Sequence, residues 1–134
     1  MSTTLPLVSI GYAALLGLLA VILTVRVILN RVKHKVNTGD GGNKDLAQAI
    51  RAHGNFAEQA PLALLLLMVL EATGAAPTMV HVLGVALVVS RVLSAWGLSR
   101  TLGLSMGRQA GAGLGILVYV ALSLLILYRL FSAG

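Results

Sequence analysis

Three polar residues in an otherwise apolar part of the chain share one helical face. In "RAHGNFAEQAPLALLLL", Arg51, Asn55 and Glu58 stand at positions i, i+4 and i+7, so a helix would place them on a single stripe. A guanidinium offers a rigid fork of donors, an amide offers donors and acceptors, and an ionised carboxylate only accepts. Such a stripe suits a zwitterionic, peptide-like ligand. The arginine would bind a carboxylate, and the glutamate would bind an ammonium group or a partner arginine.

Two further arginines lie in or beside apolar runs. Arg26 closes the first run, and Arg91 interrupts the third within "VVSRVLSAWG". Charged groups at membrane depth are costly and usually have a function or a partner. One alternative is that Arg51 and Glu58 form an internal ion pair that only packs helices together. Because several arginines around one acidic residue leave spare positive charge, we favour an anionic cytosolic ligand that also contacts Arg91.

The composition indicates that these residues lie in a membrane protein. The 134 residues are 57% hydrophobic and 10% charged, whereas soluble domains carry about 25% charged residues. The net charge of +6 is interpreted as an excess of Lys and Arg on the cytoplasmic side, and no nucleic-acid partner is expected. No metal site is expected either, because cysteine is absent and the three histidines are scattered.

The chain is predicted to be a single all-α domain, 1–134, with four membrane-spanning helices in a left-handed bundle. Turn signals in "NTGDGGN", "ATGAAPT" and "SRTLGLSMGRQ" separate the spans. Lys and Arg occur in the first and third loops but not in the second, which predicts both termini on the non-cytoplasmic side. Glycines at every fourth position predict close packing of the last helix (Gly103, Gly107, Gly111 and Gly115). The predicted spans cover about 5–30, 46–71, 78–98 and 109–130.

The opening stretch, with its pattern Arg-x-x-x-Asn-x-x-Glu-x-x-Pro and the preceding "GDGGNK", resembles the signature of the MAPEG family, the membrane-associated proteins in eicosanoid and glutathione metabolism. The likeness extends over the whole chain in length, span count and topology, and is strongest to the small bacterial branch. It implies a homotrimer in the bacterial inner membrane that binds glutathione as a co-substrate between subunits, near the cytosolic face. It also implies that the glutathione thiol is activated for conjugation to, or reduction of, a lipophilic substrate.

The resemblance assigns glutathione contacts to Arg51, Asn55 and Glu58, with Arg26 or, alternatively, Arg31 as the first-helix arginine. Active eukaryotic members carry a tyrosine near the end of the third helix and an arginine some nine residues further along the chain. Here Leu98 stands at the expected tyrosine position, Ser94 lies one turn earlier, and Arg108 roughly matches the later arginine. Conjugation needs a thiolate, so Arg108 and Ser94 are the candidates for stabilising it.

Two other functions are compatible with the sequence. The first is a catalytically silent ligand-binding or structural membrane protein of the same fold. The second is a small dimeric four-helix multidrug exporter that uses Glu58 as its coupling carboxylate. Arg51 on the same stripe argues against the exporter, because it would repel cationic drugs. The spans also hold few aromatic side chains for a drug cage (Tyr12, Trp96 and Tyr119).

Overall fold

The computed structural model describes residues 5–134, which form four α-helices joined by short connections. All four helices are long and apolar enough to cross a membrane, which confirms the prediction of an all-α, multi-pass membrane protein. Most of them run past the predicted spans into polar sequence. Their bounds are α1 Leu7–His34, α2 Lys44–Ala72, α3 Pro77–Arg100 and α4 Met106–Ser132.

Short polar side chains cap the N-termini of the second and fourth helices. The Asn43 side chain accepts a hydrogen bond from the backbone N–H of Leu46 at 2.9 Å. The Ser105 hydroxyl accepts from the backbone N–H of Arg108 at 3.2 Å. Both are N-caps that satisfy an otherwise unpaired N–H group of the first turn. Asn43 is the N-cap of α2, and Asp45 lies in its first turn, where a negative charge is favourable.

The first helix is capped by a residue from another helix. Pro6 precedes α1 and makes no capping hydrogen bond. Instead, the carboxylate of Glu71 accepts from the backbone N–H groups of Val8 at 2.8 Å and Ser9 at 2.7 Å, and from the Ser9 hydroxyl at 2.5 Å. Glu71 and Ser9 are both buried. A negative charge at a helix N-terminus is favourable, so this contact fixes α1 against the end of α2.

The second and third helices form the centre of the subunit. α1 and α4 each pack against both of them, and within residues 5–134 α1 and α4 do not pack against each other. Leucines from the central helices and α4 form the tightest part of the core, namely Leu46, Leu67, Leu70, Leu87, Leu98 and Leu122. Large aliphatic side chains cover the outward faces of α1 and α4, as expected for helices in contact with lipid.

Glycines let α3 and α4 approach closely. A Cβ atom on Gly107, Gly111 or Gly115 would lie closer than 3.0 Å to atoms of α3, so the predicted packing role is confirmed at these three positions. The prediction of a packing role is wrong for Gly103, which lies in the loop before α4. A Cβ there would meet Thr101 at an ordinary 3.4 Å.

Candidate functional site

Arg51 and Glu58 form an ion pair on the outward face of α2. Two parallel contacts of 3.4 Å join the guanidinium to the carboxylate, and the side chains are 45% and 57% exposed in the single subunit. Gln48 donates to the carbonyl of Arg100 and so lies level with the end of α3. Glu58 is further along α2, about 15 Å from Gln48 along the helix axis. Glu58 therefore lies near the middle of a spanning helix. Because lipid is a poor environment for a carboxylate, this face requires a polar partner.

An open cavity of about 540 Å³ lies against this ion pair. Its volume is within the range of small-ligand sites in proteins. The α1–α2 loop forms one wall, where Asp40 adds a second carboxylate to that of Glu58. The cavity of one subunit thus carries one guanidinium and two carboxylates. Its lining residues are Gly39, Asp40, Ala47, Ile50, Arg51, Gly54, Glu58 and Leu102.

Asn55 and Arg91 meet behind the exposed pair. Arg91 is 3% exposed and donates to the side-chain oxygen of Asn55 at 3.2 Å. It also donates to the Ser90 hydroxyl at 3.2 Å and to the carbonyl of Gly111 at 3.5 Å. Within the described chain no carboxylate lies within 4.0 Å of Arg91. Arg91 thus joins α3 to α2 and α4 through neutral acceptors. Glu58 forms its ion pair with Arg51 and not with Arg91.

The two candidates for thiolate stabilisation lie in different surroundings. Ser94 is 3% exposed and is packed against Gly111 of α4. Arg108 is only partly buried, and one of its nitrogens donates to the carbonyls of Leu102 at 3.0 Å and Gly103 at 3.3 Å. Arg108 therefore contacts Leu102 of the cavity lining, whereas neither Ser94 nor Arg108 itself is among the lining residues. Leu98 is 1% exposed in the core.

Neither first-helix arginine reaches Glu58 within one subunit. Arg26 donates to the hydroxyl of Ser99 and, at 3.3 Å, to its carbonyl, at the end of α3. Arg31 donates to the carbonyl of Gly39 at 2.8 Å. Since Gly39 lines the cavity, Arg31 supports the loop that forms its wall, whereas Arg26 lies on the α1–α3 side.

Sequence spacing predicted the Arg51–Glu58 face but not the loop residues that complete it. Asp40 and Leu102 belong to loops whose path over α2 depends on tertiary packing. For Asp40, the only local signal in the sequence was the turn "GDGG". In the structure, Gly39, Gly41 and Gly42 of this turn have positive φ angles of 64°, 58° and 73°. These conformations suit glycine and let the loop turn back onto the cavity.

Comparisons with known proteins agree with the four-helix architecture. The model of the MAPEG family matches residues 9–128. The inner membrane protein YecN of Escherichia coli strain K12 is 38% identical over 91 residues, which are 68% of this chain and 70% of that protein. The same protein from Escherichia coli O6:H1 strain CFT073 matches with the same identity and coverage. Because the family model matches nearly the whole chain, the chain belongs to the MAPEG family.

Proposed function

We propose that this protein binds glutathione in the bacterial inner membrane and activates its thiol for conjugation to, or reduction of, lipophilic substrates. The observation that supports this most directly is the exposed Arg51–Glu58 pair, which faces a cavity that extends from the α1–α2 loop to the middle of α2. A polar peptide bound there would satisfy charges that lipid cannot. The inner-membrane location of the relatives named YecN supports the cellular location.

The charges of the cavity fit parts of this ligand. Glutathione carries two carboxylates, one ammonium group and a thiol. Arg51 would bind one carboxylate, Asn55 would add an amide contact, and Glu58 would hold the ammonium group. One subunit supplies a single guanidinium against two carboxylates at the cavity, so the second ligand carboxylate needs a further cation. Arg26 of a neighbouring subunit would supply it, with Arg31 as the alternative.

This requirement supports a homotrimer with the ligand between subunits. A neighbouring subunit would cover the outward face of α2 and keep the Arg51–Glu58 pair away from lipid. The 35–43 and 101–105 loops would lie on the cytoplasmic side, where Lys and Arg are enriched, and both termini on the other. The mass of the detergent-solubilised protein tests this arrangement. Three chains per particle are expected, and a stable monomer or dimer would contradict it.

The chemistry we propose is loss of the thiol proton to solvent followed by attack of the thiolate on the substrate. With an aryl halide, a C–S bond would form and halide would leave. With a hydroperoxide, the O–O bond would break to give an alcohol and a sulfenic acid, which a second glutathione would convert to the disulfide with release of water. Only the thiolate is an effective nucleophile, and a nearby cation lowers the pKa of a thiol. Arg108 suits this role better than Ser94, because it is charged and holds a residue of the cavity wall. Arg91, although buried behind Asn55, would add positive potential without contacting the pair.

Calorimetric titration of the purified protein with glutathione tests the binding proposal. We expect one ligand per subunit or per interface. A matched peptide in which the glycine carboxylate is an amide should bind more weakly, because it lacks one acceptor for a guanidinium. Equal affinity for both peptides would contradict the assignment of Arg51 or its neighbours to that carboxylate.

A ligand-binding protein without turnover is the second candidate. It is favoured by the buried Leu98, which offers no hydroxyl where the active relatives are expected to carry one. Glutathione binding with neither turnover nor a thiolate absorbance signal would establish it. The exporter is disfavoured, because the carboxylate it would need is already paired with Arg51.

A further inference from the structure

One arginine at the end of the bundle opposite the 35–43 loop has unused hydrogen-bond donors. Arg129, in the last turn of α4, donates to the carbonyls of Thr73 at 3.0 Å and Gly74 at 3.2 Å, directly after α2. These contacts occupy two of the five N–H groups of a guanidinium. Within residues 5–134 no carboxylate lies within 4.0 Å of Arg129, so its other donors and its charge are available to a ligand.

A cavity of about 320 Å³ opens beside this arginine, and its lining holds no acidic side chain. The C-terminus of α4 forms part of the wall, since Ser132 is the last residue of this helix and Ala133 is its C-cap. The last carbonyls of a helix have no partner within it and carry a partial negative charge. The cavity therefore places one cation next to weakly negative acceptors. Its lining residues are Met79, Leu125, Tyr128, Arg129, Ser132 and Ala133.

An apolar groove between α3 and α4 continues from the cavity toward the middle of the bundle. The two helices pack against each other as antiparallel neighbours joined by a short loop. Met79 and Leu125 both line the cavity, so the residues one turn deeper, Val82 on α3 and Ala121 on α4, lie next to each other. Val82 is 63% exposed, and Ala121 is partly buried. The groove is therefore apolar and accessible from the side of the bundle.

We propose that this end of the α3–α4 groove binds a phospholipid whose headgroup carries a phosphate and a primary ammonium group, as phosphatidylethanolamine does. The phosphate accepts hydrogen bonds from Arg129, and the ammonium group donates to the carbonyls at the end of α4. One acyl chain follows the groove past Leu125, Ala121 and Val82. Free phosphoethanolamine has the same charges but would leave the groove uncovered.

This lipid site is separate from the proposed glutathione site. None of its lining residues belongs to α1 or α2, so a neighbouring subunit can still use Arg26 or Arg31 at the glutathione site while the α3–α4 groove faces lipid. The adjoining surface of α4 also suits lipid, because Leu117 is 65% and Leu124 is 62% exposed. The two sites lie at opposite ends of the bundle, so lipid binding does not depend on glutathione binding.

Three arginine variants test the site by native mass spectrometry of the detergent-solubilised protein with added lipid. Arg129→Lys keeps a cation, whereas Arg129→Gln keeps a donor for the α2 end but no charge. Arg100→Gln removes the same charge at the other end of the bundle, from a residue that does not line this cavity. We expect Arg129→Gln to weaken phosphatidylethanolamine binding about five-fold, Arg129→Lys to keep most of the affinity, and Arg100→Gln to leave it unchanged. Glutathione affinity should be the same in Arg129→Gln as in the wild type.

Two other lipids test the headgroup. Phosphatidylcholine has the phosphate but no N–H donor, and phosphatidylglycerol has no ammonium group, so both should bind more weakly than phosphatidylethanolamine. Equal affinity for either of them would show that the ammonium group is not recognised.

Four further results would overturn the proposal. Equal losses in Arg129→Lys and Arg129→Gln would mean that Arg129 only holds the end of α2. Equal losses in Arg129→Gln and Arg100→Gln would mean that only the overall charge of the protein matters. If free phosphoethanolamine competed as well as the lipid, the groove would have no part in binding. Absence of bound lipid in the intact oligomer would show that a second copy of the chain covers the groove.

Discussion

Replacing Glu71 by Gln should loosen the first helix without affecting the candidate site. The Glu71 carboxylate accepts three hydrogen bonds from Val8 and Ser9. A glutamine has one acceptor oxygen, so at least one backbone N–H group of α1 would face an NH₂ group. The Ser9 hydroxyl can reverse its role and accept. Losing one buried charge-assisted hydrogen bond costs about 1.5–3 kcal/mol, and losing the charge at the helix N-terminus costs a further ~0.3–1 kcal/mol.

We therefore expect Glu71→Gln to lower the free energy of unfolding by roughly 2–4 kcal/mol. Thermal unfolding in detergent measures the loss, and amide hydrogen exchange should locate it in the first turn of α1. Ser9→Ala removes one of the three bonds and should cost about 1.5–3 kcal/mol, as for a hydrogen bond to a charged group. Glu58→Gln is the matched control, because its exposed pair with Arg51 contributes about 0–1 kcal/mol. If Glu71→Gln is no more destabilising than Glu58→Gln, the carboxylate does not anchor α1.

Two further predictions concern packing and chemistry. Gly111→Ala should destabilise the protein by about 1–3 kcal/mol, since its Cβ would meet backbone atoms of α3; Gly113→Ala, with nothing within 4 Å, is the control. Equal melting temperatures for the two variants would contradict the close helix approach. If the protein is an enzyme, Arg108→Ala should lower turnover with an aryl halide or hydroperoxide and leave glutathione affinity within a few-fold. An equal loss of affinity and turnover would make Arg108 a binding residue instead.

Long runs with few charges made the four spans predictable, because few other structures bury so much apolar sequence. The helix ends were less predictable. α1 continues to His34, past the predicted limit near residue 30, because a helix does not have to stop where the membrane does. The capping of α1 by Glu71 could not be predicted, because it joins residues that are 62 and 63 positions apart in the sequence.

Helical periodicity was sufficient to place Arg51 and Glu58 on one face, because their contact lies within a single helix. It could not predict that Asn55 accepts a hydrogen bond from Arg91, since that contact depends on how α2 packs against α3. The predicted grouping of several arginines around Glu58 does not occur within one subunit. Whether Arg26 reaches the site from a neighbouring subunit stays a prediction.

The central claim is that the Arg51–Glu58 face binds glutathione, and calorimetry with two arginine variants tests it most directly. Arg51→Ala should weaken glutathione binding by about 1.5–3 kcal/mol, the contribution of a hydrogen bond to a charged group. Arg100→Ala removes the same charge from an exposed residue that stacks on Trp96, 5.1 Å from the ring centre, and does not line the cavity. It should bind glutathione like the wild type. Unchanged affinity in Arg51→Ala, or no binding by the wild-type protein, would contradict the assignment of this site.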